Sequence, residues 1–210
     1  MKNRKGNIWI LIGLLLLGAA LCLTFYNIQE NEKASDYVNA VLPQLTRRVK
    51  TVKEDSGGSI YSDSERADNR PDHEKYPEKE MPIHVIDGVE YVGTLEIPAL
   101  NLVLPIISQW DYASLRMAPC RYEGSAYLDN LVIAGHNYAS HFGNLDTLIP
   151  GEEIFFTDCA GNRFAYEIVE LETLGKMQVE EMITGDWDLT LFTCTYGGQS
   201  REALRCIKCE

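Results

Sequence analysis

Basic residues are scarce in this chain of 210 residues, which has 19 lysines and arginines against 31 aspartates and glutamates. The resulting net charge of −12 argues against nucleic acid as a partner, because a protein that binds phosphate backbones presents a basic face. The acidic composition is typical of a soluble ectodomain and says little more about function.

The cysteine pattern of a small disulfide scaffold is also missing. Such scaffolds space their cysteines densely, whereas here Cys22 lies inside an apolar segment and the other five are scattered. Hydrophobic residues make up 45% of the chain, so a core can form without disulfides. Cys206 and Cys209 could form half of a zinc site with Cys120 or Cys159, but a second Cys-x-x-Cys pair is absent. We therefore expect no disulfide framework and no metal.

Only one hydrophobic run is long enough to cross a membrane. Residues 7–26 carry no charge, and about 20 apolar residues span the hydrocarbon core. Residues 1–6 form a basic flank that should stay in the cytoplasm, which places the rest of the chain outside the cell. A cleaved signal peptide is the alternative, but its apolar stretch is usually shorter. The sequence predicts an uncleaved, single-pass signal anchor with the lipid bilayer as its partner.

Residues 27–82 are predicted to be an extracellular stalk or linker. Residues 30–53 could form one helix, interrupted at Pro43. Residues 54–82 are rich in charged residues, serine, glycine and proline, and such a composition buries too little apolar surface to offset its ordering entropy. An inhibitory lid over an active site is the alternative interpretation of this segment.

Residues 83–210 indicate an all-β domain. Short apolar or alternating runs are separated by turn signals, and helical patterns are restricted to the connections at 111–117 and 141–148. About eight strands at this spacing predict a closed barrel or a sandwich. The predicted strands are 91–97, 102–107, 125–127, 131–134, 153–157, 163–174, 189–193 and 203–207.

Cys194 and Arg201 are candidate catalytic residues because a predicted strand, a turn and a second strand should bring them together. Cys194 ends an apolar strand, glycines follow, and Arg201 begins the next strand. If the two strands pair antiparallel, the two residues face each other across the mouth of a hairpin. A neighbouring cation favours the reactive thiolate and can also stabilise an oxyanion.

His136 is the predicted acid–base partner of the cysteine. It follows the buried run 131–134 and Gly135, which puts it at the rim of the domain. Cysteine nucleophiles generally need a base that later protonates the leaving amine. His141 lies in the same region and is the competing candidate, although a capping or packing role explains it more simply.

Three ordered motifs resemble those of the sortase family. Residues 190–194, Thr-Leu-Phe-Thr-Cys, resemble its T-L-x-T-C signature, and residues 135–137, Gly-His-Asn, are similar to its G-H-[NRT] motif. Residues 93–98 look like its first strand. Cys120 and Arg121 depart from the family pattern, which has Gly-His there, so no catalytic role is assigned to them.

The resemblance implies an eight-stranded β-barrel with short connecting helices on the outer face of a Gram-positive membrane. Sortases recognise an LPxTG-type sorting signal near the C-terminus of secreted proteins and cleave it through a thioacyl-enzyme. An amine of a peptidoglycan precursor or of a pilin lysine then resolves this intermediate. The chemistry uses no metal or organic cofactor; some members bind calcium as an activator, and no matching motif is recognisable here.

The resemblance also assigns roles to residues. Cys194 is the nucleophile, His136 the acid–base group and Arg201 the oxyanion or orienting group. Thr193 is expected to contact the bound signal, and by position the groove should include Leu104, Ile106, Ala126 and the 174–188 connection.

Two other functions fit the sequence less well than a transpeptidase. A papain-like hydrolase has its cysteine before its histidine, the reverse of the order here. A catalytically silent, membrane-tethered peptide-binding module on the same barrel is the alternative from a different class, although it would have no need of the Cys/His/Arg set. The subclass is open: the histidine region resembles class B, the short connection before the cysteine strand resembles class A or D, and class C is disfavoured.

Overall fold

The computed structural model describes residues 3–56, 70–195 and 197–209. Within these ranges there are four α-helices and nine strands. The helices are α1 (Asn3–Ser56), α2 (Asp72–Lys75), α3 (Tyr112–Leu115) and α4 (Val179–Ile183). The strands are β1 (His84–Ile86), β2 (Val89–Ile97), β3 (Leu102–Ile107), β4 (Cys120–Glu123), β5 (Leu131–Ala134), β6 (Glu153–Asp158), β7 (Arg163–Gly175), β8 (Leu189–Cys194) and β9 (Ser200–Lys208).

Eight of these strands close into a barrel. The order around it is β2-β3-β4-β5-β8-β9-β7-β6, and β6 pairs antiparallel with β2 to complete the ring. β1 is a short addition that extends β2 at its N-terminal end. The predicted all-β barrel with eight strands and short helices is therefore confirmed.

Two local predictions differ from the structure. Residues 125–127 lie in a turn, and the strand of this region is β4, slightly earlier in the chain. The predicted helix at 141–148 is reduced to a single 3-10 turn at Leu145–Thr147. Both segments are short, and apolar periodicity distinguishes poorly between a strand, a turn and a helix at this length.

The faces of β8 decide which of its side chains reach the core. Side chains alternate along a strand, and Leu189 and Leu191 lie fully buried in the main core. The opposite face carries Phe192, which packs with a smaller cluster of Leu174, Met182 and Ala203. Cys194 has the same parity as Phe192. It therefore lies on the outer face of the barrel wall, and its side chain is half-buried.

Helix α1 combines an apolar first half with a second half that contacts the barrel. Among the described residues it is the one helix long and apolar enough to cross a membrane, and its apolar side chains from Ile8 to Ile28 are exposed. Further along, the four residues Ala34, Val38, Val41 and Leu45 are buried against the barrel. The helix runs through Pro43 without the predicted interruption.

Part of the segment predicted as a stalk, residues 27–82, is thus placed differently. The buried positions 34, 38, 41 and 45 follow the spacing of one helical face, which is why they all meet the barrel. His73, in the same segment, stacks on Tyr127 with 5.2 Å between ring centroids. Residues 57–69 of the predicted stalk and residues 1–2 of the predicted basic flank lie outside the described residues.

Candidate active site

Cys194 and Arg201 are direct partners across the antiparallel pair β8–β9, as the sequence predicted. The connecting turn is closed by a hydrogen bond from the backbone N–H of Thr195 to the carbonyl of Ser200, at 3.0 Å. Gly197 and Gly198 have φ values of +83° and +67°, a left-handed conformation that suits glycine. The guanidinium Nη1 of Arg201 donates to the carbonyl of Ser200 at 3.1 Å.

His136 is brought to the same edge by the parallel pair β5–β8. Ala134 lies beside Phe192, and the N–H of Gly135 donates to the carbonyl of Phe192 at 2.9 Å. His136 and Cys194 are each two residues beyond this pair. Neighbouring parallel strands lie about 4.8 Å apart, so this register brings the two residues to the same end of the β5–β8 pair.

Gly135 is required by the packing beneath the histidine. A Cβ atom at this position would lie 2.3 Å from Cδ2 of Phe142, whose ring is fully buried. The glycine therefore lets Phe142 fill the barrel end while the chain continues to His136. This is a local physical reason for a glycine directly before the histidine.

The imidazole of His136 is half-buried. It stacks on the ring of Tyr138 with 3.8 Å between centroids, and its buried Nδ1 has no hydrogen-bond partner in the described part of the chain. Burial lowers the pKa of His136, and the positive charge of Arg116 lowers it further, whereas Asn137 and Glu30 oppose the shift. The neutral imidazole, which can accept a proton, is therefore favoured near neutral pH.

A pocket of about 290 Å³ opens beside Cys194. Thr193, Cys194 and Arg201 line one side, and Gly135 lines the edge next to His136, which is itself not part of the lining. The other walls come from distant segments: Trp110, Tyr112, Leu115, Tyr122, Ala134, Gly175, Lys176, Gln178, Val179, Met182 and Phe192. A larger and more polar depression of about 500 Å³ shares Trp110 and Tyr122 but contains none of the three candidate catalytic residues.

The fold and the residues around this pocket match one family. The family model of the sortase domain matches residues 95–207, more than half of the chain. The chain belongs to the sortase family. Sortases are cysteine transpeptidases, and this chain is an enzyme of that class.

Solved sortase structures are similar in fold. Sortase A from Corynebacterium diphtheriae is 19% identical, covers 91% of this chain and 96% of its own, and has a TM-score of 0.51. Sortase C1 from Streptococcus agalactiae is 20% identical, with coverages of 87% and 97% and a TM-score of 0.53. Sortase A from Listeria monocytogenes is 19% identical, with coverages of 57% and 88% and a TM-score of 0.52. No curated protein sequence matches. Because sortases A and C both appear, these similarities leave the subclass open.

The structure does not bring three of the predicted groove residues to the pocket of this sortase. Leu104, Ile106 and Ala126 are fully buried in the main core and line no part of the pocket beside Cys194. The prediction placed them by position along the chain, whereas their side chains point into the barrel. Thr193 does reach the pocket lining, although its buried hydroxyl has no partner among the described residues.

The connection between β7 and β8 forms a wall of the pocket, as the sequence predicted. It contributes Val179 and Met182, and the buried Arg205 holds it in place. The guanidinium of Arg205 donates to the carbonyl of Met182 at 3.0 Å and to that of Glu181 at 2.6 Å. Arg205 thus has a structural role.

The other cysteines of the barrel have different surroundings from Cys194. Burial raises the pKa of the Cys120 and Cys159 thiols to about 12 and raises that of Cys206 further. These three thiols stay protonated and unreactive at neutral pH. All six cysteines of the chain lie in described segments, and none is in a disulfide. Within the described residues no cluster of three or more His, Cys, Asp or Glu side chains could hold a metal.

His141 is expected to make the stability of the sortase fall in mild acid. Its ring is fully buried, and burial together with the nearby His136 lowers the pKa of His141 to about 4. In the unfolded chain a histidine titrates near 6.5. Between about pH 4 and pH 6.5 the unfolded state therefore binds a proton at His141 that the folded state does not bind. Stability from this residue is therefore present above about pH 6.5 and is lost as the pH falls toward 4.

At pH 5 the loss should be about 2 kcal/mol. Urea unfolding at pH 7.5 and pH 5 measures it, with His141→Phe as the variant that keeps a buried ring and removes the titration. The pH dependence should be smaller in the variant by about that amount. An equal dependence in both proteins would show that His141 is not the group responsible.

Proposed function

We propose that this sortase cleaves an LPxTG-like sorting signal and transfers the protein to an amine of a cell-wall precursor or a pilin. The observation that carries the proposal is the pairing of Cys194 with Arg201 at the barrel edge, next to His136 and open to one pocket. The substrates would be secreted proteins that carry the signal near their C-terminus.

In the first step the neutral imidazole of His136 takes the proton of the Cys194 thiol, and the sulfur attacks the carbonyl carbon before the scissile bond. Arg201 is opposite Cys194 on β9, and in this proposal its guanidinium stabilises the negative oxygen of the tetrahedral intermediate. The C–N bond breaks, His136 supplies a proton to the departing amine, and a thioester to Cys194 remains. In the second step an incoming amine attacks the thioester and loses a proton to His136, which passes that proton to the sulfur of Cys194 as the C–S bond breaks. Protein side chains alone supply these groups, so the proposed reaction uses no cofactor.

The pocket suits a short peptide with apolar residues. Trp110, Tyr122, Met182 and Phe192 provide apolar walls, and Arg201 provides a cation at the reacting end. A site with mostly apolar walls and few polar groups is typical of selective ligand binding. The Leu-Pro part of a sorting signal would bury its side chains here, with the threonine carbonyl at Cys194.

We further propose that α1 anchors the enzyme in the cell membrane with the barrel outside. Its first half has exposed apolar side chains over the length of a membrane span. The basic residues at positions 2, 4 and 5 favour the cytoplasmic side for the N-terminus.

The test uses the full chain in phospholipid nanodiscs, peptides with LPxTG-type motifs labelled at both ends, and triglycine as amine. Mass spectrometry should detect cleavage, a product joined to triglycine, and a peptide adduct on the intact protein that hydroxylamine removes. The adduct should map to Cys194. A pocket that binds these peptides without cleaving any of them would favour the silent binding module instead.

A further inference from the structure

Helix α1 contacts the loop that carries His136. The side-chain Oδ1 of Asn31 accepts hydrogen bonds from the backbone N–H and from the hydroxyl of Ser140, both at 3.1 Å. The Ser140 hydroxyl also lies 3.4 Å from the backbone carbonyl of Asn31. The two residues are 109 positions apart in sequence, so this contact connects the anchor helix to the edge of the barrel.

The loop from His136 to Gly143 is closed by its own backbone hydrogen bonds. The N–H of Phe142 donates to the carbonyl of His136 at 3.1 Å, and the N–H of Gly143 donates to the carbonyl of Tyr138 at 2.8 Å. Ser140 lies inside this closed turn. A contact that fixes Ser140 therefore also restricts where His136 can lie.

The imidazole of His136 is held mainly by residues of its own loop, and one of these contacts is a side-chain hydrogen bond with the neighbouring Asn137. Its Nδ1 has no hydrogen-bond partner in the described segments, and its main ring contact is with Tyr138, a residue of the same loop. An acid–base group must come within about 3 Å of the proton that it transfers. The position of the whole loop therefore decides whether His136 can serve Cys194.

We propose that Asn31 is a positioning residue of this sortase: it fixes the His136 loop from the anchor helix. The inference rests on the proposed function, since it assumes that His136 transfers protons in the reaction. It makes α1 part of the active-site support. Helix α1 is continuous from its apolar half to Asn31, which lies about 8 Å along the helix axis beyond Tyr26, the last residue of the proposed membrane span. The helix therefore also sets the distance between the membrane surface and the His136 loop.

Steady-state kinetics with the full chain in nanodiscs and an LPxTG-type peptide test the proposal. Asn31→Ala should lower kcat roughly ten- to hundredfold with little change in KM, because the peptide pocket is untouched while the acid–base group is misplaced. Asn31→Asp keeps an oxygen acceptor at the same place and should recover most of the lost kcat. Asn39→Ala changes an exposed asparagine on the same helix, whose side chain hydrogen-bonds to Ser35 one turn earlier, and should behave like the parent.

Hydrogen exchange supplies a readout that does not depend on the peptide. Asn31→Ala should accelerate amide exchange in residues 136–143 and leave β8 and β9 unchanged, whereas Asn39→Ala should alter neither. If the unsubstituted enzyme cleaves no peptide, the proposed function is contradicted. The exchange rates of residues 136–143 then still decide whether Asn31 fixes the loop. Unchanged exchange in the loop of Asn31→Ala, or an unchanged kcat in an active enzyme, would overturn the inference.

Discussion

Replacing Cys194 with alanine is expected to abolish peptide transfer, with a fall in kcat of roughly 10³-fold or more, because no other side chain can form the thioester. The fold should be retained, since Cys194 is only half-buried at the end of β8 and leaves no cavity in the main core. The measurement is the single-turnover rate with a labelled LPxTG-type peptide. The thermal unfolding midpoint should stay close to that of the parent.

Cys209→Ala is the matched control for this substitution. Cys209 is the other partly exposed thiol of the barrel, and it lies at the end of β9 outside the pocket. It should retain the parent rate and the thioester adduct. If Cys194→Ala transferred peptide at the parent rate, or if the adduct appeared on Cys209, the assignment of the nucleophile would be wrong.

The Cys194–Arg201 geometry could be predicted because it is local. A strand that ends in cysteine, two glycines and a second strand beginning with arginine encode a hairpin in twelve consecutive residues, 190–201. The position of His136 next to this hairpin depends on the parallel pairing of β5 with β8, which are more than fifty residues apart in the chain. No local sequence pattern indicates that pairing. The assignment of His136 therefore came from the family motif, and the parallel register now gives a physical reason for it.

Apart from the 174–188 connection, the walls of the pocket could not be predicted, because they converge from separate segments. Trp110 follows β3 and Tyr122 lies on β4, and no local pattern indicates that these residues meet the end of β8. The same difficulty explains the misplaced Leu104 and Ile106. Hydrophobic alternation identifies a strand, but deciding which face looks into a barrel and which lines a groove requires knowing the neighbours of each strand.

The contact between the second half of α1 and the barrel could not be predicted for a related reason. Ala34, Val38, Val41 and Leu45 form a narrow apolar stripe in a polar segment, and such a stripe is meaningful only if a complementary surface exists. The barrel supplies that surface. The contact is extended by the guanidinium of Arg48, whose Nη1 donates to the carbonyl of Val85 at 2.7 Å.

Deleting this part of α1 is expected to destabilise the barrel severely. A fragment of residues 70–210 exposes the surface that the helix covers, whereas a fragment of residues 30–210 loses only the apolar half. Burying a valine or leucine side chain contributes roughly 1.5–3 kcal/mol, so losing the stripe costs on the order of 5 kcal/mol of a total stability of about 5–15 kcal/mol. Urea unfolding followed by circular dichroism compares the two fragments directly.

Point substitutions show whether the lost stability comes from the buried side chains of α1 or from shortening the chain. Leu45→Ala in the fragment of residues 30–210 should reduce the free energy of unfolding by about 2–5 kcal/mol, because Leu45 is fully buried in the main core. Gln44→Ala, next to it, should have little effect, since the Gln44 side chain bonds only to Ala40 on its own helix. Equal stability of the two fragments, together with a neutral Leu45→Ala, would mean that α1 leaves the barrel in solution. A helix that belongs to the folded unit means that a soluble form of this sortase should begin near residue 30, not after the predicted stalk.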